Sequence, residues 1–316
     1  MNIVFCGHNV RGVKCLEKIN DNKDFTISLV VTHPCKNLED TSSVNFIAKS
    51  LNIDTIDPTD INAPQTLEII KSYNPDVIIL SGYTQIVKED FISIANKITI
   101  NLHGGKLPEY RGSAPLNWML INDEQSIGIS IIEVAPGIDT GDILCREEFS
   151  IDDNDSITTI VDNTLKLFPN MLEKVLYQIK NNTLERITQN LNEGNYYPSR
   201  KPNDGLILFE EMTAREIFNL VRALQPPYPY AFSFFNNKKI NILDATEYKK
   251  ETVKGLAGKV ILKRDNVVLV MCKDKTILLK TVQFEEDKVI LKAKDIMKRG
   301  DSFRTLRTIL LGQEDL

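Results

Sequence analysis

Residues 97–112 read Lys-Ile-Thr-Ile-Asn-Leu-His-Gly-Gly-Lys-Leu-Pro-Glu-Tyr-Arg-Gly, and they decide the fold. The first five residues have the pattern of a short strand, with Ile98 and Ile100 on its buried face. The rest is a loop rich in Gly and Pro, the residues that most often break regular structure. In open α/β sheets, loops at the carboxyl ends of strands bind ligands. We therefore expect a ligand site at the end of this strand.

Strand-like and helix-like segments alternate before this stretch. Residues 2–6, 25–31 and 76–80 have strand patterns, and the continuous apolar run of 76–80 suits a strand covered on both faces. Helices are predicted between them, over residues 12–19, 43–51 and 62–72. This alternation predicts a Rossmann-like α/β fold with a mostly parallel sheet. The first turn lacks the GxGxxG spacing, so the sequence does not favour dinucleotide binding.

The composition changes after a Pro- and Gly-containing segment at residues 196–205, which we predict to be a linker. A helix is predicted over residues 213–224. Short segments rich in branched residues follow it, and such spacing indicates a small β-barrel. The predicted domains are therefore residues 1–195 and 206–316.

Three polar side chains near the predicted ligand site have complementary chemistry. Asn101 and His103 are two residues apart, so on an extended strand they point to the same side. Asp139 lies in a second Gly-flanked loop, residues 136–141. Acyl transfer to an amine needs a proton acceptor, a donor to the oxyanion and an anchor for the imidazole. His103, Asn101 and Asp139 can fill these roles, although a histidine that only bonds to backbone at a strand end fits the residues equally well.

The three residues belong to a longer pattern. It reads Asn-Leu-His-Gly-x-x-Leu-Pro-x-Tyr-Arg-Gly-x-Ala-Pro-Leu-Asn-Trp from Asn101 to Trp118, and Asp-Thr-Gly-Asp follows from Asp139. It resembles the folate-dependent formyltransferases, which include methionyl-tRNA formyltransferase and the sugar-nucleotide N-formyltransferases. The resemblance implies that Asn101, His103 and Asp139 are catalytic and that 10-formyltetrahydrofolate is the formyl donor. It extends through residues 200–232 and implies an OB-like carboxyl-terminal domain.

Folate contacts in this family come largely from the main chain, so they leave a weak residue signature. The resemblance carries them to three places: the segment of residues 85–87, Ser113, and the loop of residues 135–139. The implied cofactor-binding positions are Gln85, Ile86, Val87, Ser113, Ala135, Pro136, Gly137 and Ile138.

Two cations in the motif loop are candidate substrate contacts. Lys106 is a departure, because many relatives have Ser-Leu where this chain has Gly105-Lys106. It is placed to contact a phosphate, but a solvated loop lysine is the commoner case. Arg111 has a guanidinium fork that can orient a carboxylate or phosphate, or can hold loop backbone.

The resemblance leaves two classes of amine acceptor. The tRNA enzymes carry a long basic insertion after the second strand. Residues 31–43 of this chain are short there and contain Glu39 and Asp40 against a single lysine. They resemble instead the formyltransferase domain of the bifunctional aminoarabinose enzyme of polymyxin resistance. We therefore expect a nucleotide-linked amino sugar, in surface polysaccharide synthesis such as that of lipopolysaccharide, with methionyl-tRNA as the alternative.

Charge supports the same expectation in part. The chain has a net charge of -5 and a pI near 5.4, which is unfavourable for binding a polyanion. Residues 206–316 nevertheless hold 20 Lys and Arg against 15 Asp and Glu, whereas the rest holds 18 against 28. A basic barrel could contact RNA, remain solvated or favour a dimer partner. Relatives with sugar substrates are often dimers, so the resemblance implies a homodimer.

Composition excludes several other classes. No apolar run approaches the roughly 20 residues that span a bilayer, so we expect no membrane partner. The start lacks a basic region before its apolar stretch, which indicates a first strand and a cytoplasmic protein. The three histidines lie far apart and no cysteine pair has metal-ligand spacing, so the sequence predicts no metal.

Overall fold

The computed structural model of the protein describes residues 1–34, 40, 43–250, 253–264 and 267–311. These residues form two compact units. The first contains residues 1–115, 126–150 and 161–198, and the second contains residues 116–125, 151–160 and 199–316. The second unit thus takes two short segments from the region that precedes the predicted linker.

Strands and helices alternate through the amino-terminal two thirds of the chain. They are β1 Asn2–Gly7, α1 Asn9–Asn20, β2 Thr26–Val31, α2 Val44–Ser50, β3 Asp54–Ile56, α3 Pro64–Ser72, β4 Val77–Ser81, α4 Glu89–Ile92, β5 Ile98–His103, β6 Tyr110–Gly112, α5 Pro115–Ile121, β7 Ser126–Glu133, β8 Ile143–Ser150, α6 Ile157–Lys180 and β9 Asn195–Tyr197.

Seven described strands of the first unit form a sheet in the order β3-β2-β1-β4-β5-β7-β8, and β6 and β9 pair separately. The pairs from β3 to β5 are parallel, whereas β7 runs antiparallel to β5 and to β8. The predicted mostly parallel α/β sheet is therefore confirmed. Its strand order reverses between β1 and β4, and the crevice beyond the carboxyl ends at such a reversal is where open sheets bind ligands.

The central strands are buried on both faces. Val77, Ile78 and Ile79 of β4 are fully buried, as the continuous apolar run predicts. The prediction for β5 was too short, because this strand continues to His103, which pairs with Ser130 of β7. Thr99, on the face opposite Ile98 and Ile100, is 2% exposed, so both faces of β5 are covered at this point. The antiparallel neighbour β7 supplies the additional pairing.

The second unit contains an antiparallel sheet of short strands. A 3-10 helix at Pro202–Gly205 precedes it, and its other elements are α7 Ala214–Ala223, β10 Phe232–Phe235, β11 Lys238–Glu247, β12 Val260–Arg264, β13 Val267–Met271, β14 Thr276–Phe284, β15 Ile290–Lys292, α8 Ala293–Ile296 and α9 Leu306–Leu311.

These described strands are ordered β10-β11-β14-β13-β12, and β15 also pairs with β14. Residues 276–279 of β14 pair with β13 and residues 281–283 pair with β15. Strand β14 thus pairs with β13 and β15 along different parts of its length, and it also pairs with β11. Helix α7 covers this sheet with Ile217, Leu220 and Val221 in the core. The predicted OB-like carboxyl-terminal β domain agrees with this architecture.

Candidate active site

Strand β5 presents Asn101 and His103 side by side at the carboxyl edge of the sheet. Both side chains lie on one face because they are two residues apart. The His103 side chain is 6% exposed. The sequence therefore predicts correctly how these two groups are placed on the strand.

The loop between β7 and β8 brings Asp139 to the same place. Its Oδ1 accepts from the Asn101 amide at 3.4 Å, and its Oδ2 lies 3.4 Å from His103 Nδ1. Oδ2 also accepts from the main-chain N–H of Gly112 at 2.9 Å. The carboxylate is 11% exposed. Two donors, from Asn101 and Gly112, thus converge on one nearly buried anion, and they compensate part of its desolvation.

A second contact orients the imidazole. His103 Nε2 lies 2.7 Å from the main-chain oxygen of Tyr110. A carbonyl can only accept, so Nε2 must carry a proton and donate it. In the neutral ring the lone pair is then on Nδ1, the nitrogen that faces Asp139. Tyr110 is held in turn because β6 pairs with β9 and because the Tyr110 ring stacks on the Tyr197 ring.

The backbone around Asp139 is under local constraint. Asp139 has φ +55°, a left-handed conformation that few side chains adopt readily. The Gln189 amide donates to the main-chain oxygens of Asp139 and Gly141, at 2.9 and 2.6 Å. A Cβ added at Gly141 would lie 1.8 Å from the main-chain oxygen of Glu133. Only glycine fits at this position unless the loop moves.

Gly141→Ala should therefore displace the Asp139 loop and lower the catalytic rate. We expect a loss of about 10²-fold in kcat, since a misplacement near 1 Å at a reacting group costs about that much. Gly255→Ala is the matched control, because a Cβ there meets only the flexible side chain of Ile261. Steady-state kinetics and thermal melts of both variants make the comparison. A Gly141→Ala enzyme within threefold of wild type would show that the loop position is unimportant.

The arrangement can perform acyl transfer to an amine. Nδ1 of His103 can accept a proton from the nucleophile, and Asp139 beside it stabilises the imidazolium that results. Asn101 uses one amide N–H on Asp139, so its second N–H remains for a developing oxyanion. In the neutral ring it is Tyr110 O, and not Asp139 as the sequence predicts, that fixes the imidazole tautomer. The catalytic roles of Asn101, His103 and Asp139 stay predictions.

The segment of residues 85–87 lies between β4 and α4. Ile61 N and Pro58 O hold the Gln85 side chain, at 2.7 and 3.1 Å. Asn62 donates to the main-chain oxygen of Ile86 at 2.9 Å. The Ile86 side chain is 72% exposed. The structure thus fixes the backbone of the segment and leaves an apolar side chain uncovered.

The other predicted cofactor positions flank the catalytic residues in sequence. Ser113 is exposed, and its N–H donates to Tyr197 O at 2.8 Å. Ile138 is 41% exposed in the loop that ends at Asp139. Gly137, in the same loop, has φ +111°. Ala135 and Pro136 connect this loop to β7. Their roles in cofactor binding stay predictions.

The two predicted substrate cations have protein partners. Lys106 Nζ lies 3.2 Å from Glu148, and together with Ser126 it keeps the pKa of that carboxyl below its usual range, Ser126 having the larger effect. Arg111 donates to the main-chain oxygens of Leu191 and Glu193, at 3.3 and 3.1 Å. These two Arg111 contacts match the alternative prediction from the sequence, in which Arg111 holds loop backbone. Contacts of either cation with substrate stay predictions.

Sequence reasoning missed four contributors to the site. Tyr110 and Gly112 act through backbone atoms, which carry no residue signature, although both lie inside the motif. Gln189 lies 50 residues from Asp139, and no local pattern marks it. Arg11 donates to the main-chain oxygen of Leu102 at 3.1 Å and so supports β5 between the two catalytic side chains.

Family comparisons agree with this geometry. The family described as formyl transferase matches residues 1–176, and the one described as formyl transferase, C-terminal domain, matches residues 200–300. The chain belongs to the formyltransferase family. Each of the two families matches a different part of this formyltransferase.

Relatives of both acceptor classes are similar to this formyltransferase. The methionyl-tRNA formyltransferase of Clostridioides difficile (strain 630) is 30% identical, over 96% of this chain and 98% of that protein. The bifunctional polymyxin resistance protein ArnA of Wigglesworthia glossinidia brevipalpis is also 30% identical, over 98% of this chain but 48% of that protein. Sequence identity alone does not separate the two classes.

A solved structure shares the fold. The N-formyltransferase from Helicobacter canadensis, in complex with folinic acid and dTDP-3-aminofucose, has a TM-score of 0.65 and 22% identity, over 88% of this chain and 98% of that one. Among the described residues of this formyltransferase, no helix is long and apolar enough to cross a membrane. Within the same ranges, no group of three His, Cys, Asp or Glu could hold a metal ion.

Proposed function

We propose that this formyltransferase moves the formyl group of 10-formyltetrahydrofolate to the amine of a nucleotide-linked amino sugar. The observation that carries formyl transfer is the meeting of Asn101, His103 and Asp139 within 3.4 Å. In this reaction the acceptor amine attacks the formyl carbon while His103 Nδ1 takes its proton. Asn101 donates to the oxyanion, and the imidazolium returns a proton to the departing folate nitrogen.

Two exposed apolar side chains support a folate at the predicted positions. Exposed Ile86 and Ile138 lie in the two segments assigned to it, and a planar apolar ring system would cover such side chains. Each non-proline residue of the two segments also carries a main-chain donor and acceptor, the kinds of group that a pterin would bind. Val87 and Val134 pack against the same buried cluster, so both segments are anchored on one core.

A sugar acceptor is supported by charge and by the segment after β2. The chain is acidic overall, and 12 residues link β2 to α2 where the tRNA enzymes have a long basic insertion. Residues 35–39 and 41–42 of this link, including Glu39, lie outside the described residues. The Helicobacter canadensis structure, with its bound nucleotide-linked amino sugar, provides further support. The same proposal includes a cytoplasmic location, a homodimer and a role in surface polysaccharide synthesis.

Methionyl-tRNA is the second candidate acceptor. Its support is the full-length similarity to the Clostridioides difficile enzyme and the net positive charge of residues 206–316. A polyanion acceptor and a small acceptor differ in their response to salt, because binding tRNA releases counterions.

We expect purified enzyme to formylate a nucleotide-linked 3-amino or 4-amino sugar and not initiator methionyl-tRNA. Mass spectrometry of reactions with 10-formyltetrahydrofolate and each acceptor measures this directly. For a sugar, kcat/KM should change less than threefold between 50 and 200 mM salt, whereas a tRNA contacted at six or more phosphates should lose about 10³-fold in affinity. Formylation of tRNA alone would contradict the sugar proposal and leave formyl transfer intact.

A further inference from the structure

Two of the three histidines meet at the crevice between β1 and β4, outside the catalytic set. His8 follows β1 and His33 follows β2. The His33 ring stacks on Tyr83, with centroids 4.4 Å apart and planes at 10°. His8 meets His33 edge-on, with centroids 4.9 Å apart. We call His8, His33 and Tyr83 the histidine cluster. None of these three residues has a role in the proposed formyl transfer.

His33 holds the residue that begins the folate segment. Its Nε2 lies 3.1 Å from the Thr84 N–H nitrogen and 3.0 Å from Thr84 Oγ1. A backbone N–H can only donate, so Nε2 must be unprotonated and the ring proton must lie on Nδ1. A protonated ring would place N–H against N–H and lose this bond.

The rest of the segment is held by a side chain that does not titrate. Asn62 donates to Ile86 O at 2.9 Å and accepts from Lys88 N at 2.8 Å. His33 therefore fixes the start of residues 84–88, and Asn62 fixes their middle and end. Ile61 N and Pro58 O hold the Gln85 side chain as a third attachment. The residues assigned to folate, 85–87, directly follow the His33 contact.

We propose that His33 is a positioning residue for the folate donor, and that its neutral imidazole sets the conformation of residues 85–87 through Thr84. The inference rests on the proposed function, because it takes residues 85–87 as folate contacts. His33 acts through the backbone it holds and does not touch the reacting atoms. The site then works only while Nε2 of His33 can accept a hydrogen bond.

This role makes folate binding sensitive to acid. Burial, and to a smaller extent His8, lower the pKa of His33 below its ordinary value of 6.5. Of the described residues, His8 and Tyr83 are the titratable groups whose rings contact His33, while Cys6 and Asp60 act on Tyr83. The folded environment thus favours the neutral form of His33, in which Nε2 can accept from the Thr84 N–H. The stability that depends on neutral His33 is fully present above the ordinary pKa and is lost as the pH falls through the lowered one.

The tautomer can be measured without any ligand. The chain has three histidines, so ¹⁵N-histidine labelling gives a spectrum of three rings. His33→Phe assigns its signals. At pH 7.5 we expect the His33 ring to carry its proton on Nδ1. A ring protonated on Nε2 at that pH would overturn the proposal whatever the enzyme binds.

Calorimetric binding of 5-formyltetrahydrofolate, a donor analogue that does not transfer its formyl group, tests the consequence. At pH 7.5, His33→Phe keeps a ring for stacking but should raise the Kd about fivefold to tenfold, the effect of losing a bond of about 1.0–1.4 kcal/mol. Wild-type binding should weaken when the pH is lowered from 7.5 to well below 6.5, the ordinary pKa of the imidazole, and His33→Phe should lose that dependence. Wild-type affinity in His33→Phe at pH 7.5 would overturn the positioning role.

Asn62→Ala is the matched control. It removes a different attachment of the same segment, so its Kd should rise at both pH values while the weakening in acid remains. A flat pH response in Asn62→Ala would contradict His33 as the titrating group. A wild type with no affinity for 5-formyltetrahydrofolate at either pH overturns the folate assignment itself, and the positioning role with it.

Discussion

His103→Ala should lower kcat by about 10²–10⁴-fold, the range that general acid–base groups contribute. The chain has no other imidazole in contact with Asn101 and Asp139 among its described residues. The variant removes the proton acceptor, so the attacking amine must lose its proton to water. KM for both substrates should change little, because the loss lies in the transition state. Steady-state kinetics with the acceptor identified by mass spectrometry measures the effect.

A matched variant separates chemistry from folding. His103 is nearly buried and donates to Tyr110 O, so His103→Ala also leaves a carbonyl without its donor, at a cost of about 1–3 kcal/mol in stability. His103→Gln can restore that donor but supplies no basic nitrogen. We expect His103→Gln to recover part of the melting temperature and none of the rate. A Gln or Ala variant with near wild-type turnover would show that His103 is not the proton acceptor.

The placement of the catalytic set was predictable because it rests on local rules. Side chains alternate along a strand, so Asn101 and His103 had to share a face, and the loop after a sheet strand had to lie at the ligand edge. The long motif supplied the partner, Asp139. These relations depend on strand geometry and not on the details of packing.

Other parts of the fold depend on contacts that no local pattern contains. Helix α6, Ile157–Lys180, was not predicted, and Pro169 inside it interrupts the pattern of a regular helix. The end of β5 was missed because pairing with β7 extends that strand to His103. The support of Asp139 by Gln189 is a contact between distant residues, and the anchor at Tyr110 O is a backbone atom.

Asp139→Asn should lower kcat by about 10²–10⁴-fold, a magnitude comparable to that of the histidine variant. An asparagine has one oxygen and one NH₂ group where the aspartate has two acceptors. If its oxygen faces Gly112 and His103, the NH₂ group faces the Asn101 amide, donor against donor. If the introduced amide is flipped, its NH₂ group faces the Gly112 N–H, again donor against donor. It then also donates to His103 Nδ1, so the lone pair that should accept the proton is occupied. Either orientation disables one catalytic group, and both remove the charge that stabilises imidazolium.

Asp142→Asn is the control for this variant, since it neutralises a carboxylate of the same loop that makes no contact with Asn101 or His103 in the described structure. We expect it to keep turnover within about threefold of wild type, as surface substitutions away from specific contacts usually do. If Asp139→Asn and Asp142→Asn lost rate equally, loop charge in general would be the cause and Asp139 would have no special role.

The double variant His103→Ala with Asp139→Asn decides whether the pair acts together. Residues that work as a unit are non-additive, so its kcat should be no lower than that of His103→Ala alone. A loss equal to the product of the two single losses would mean that the carboxylate acts on the reaction independently of the imidazole.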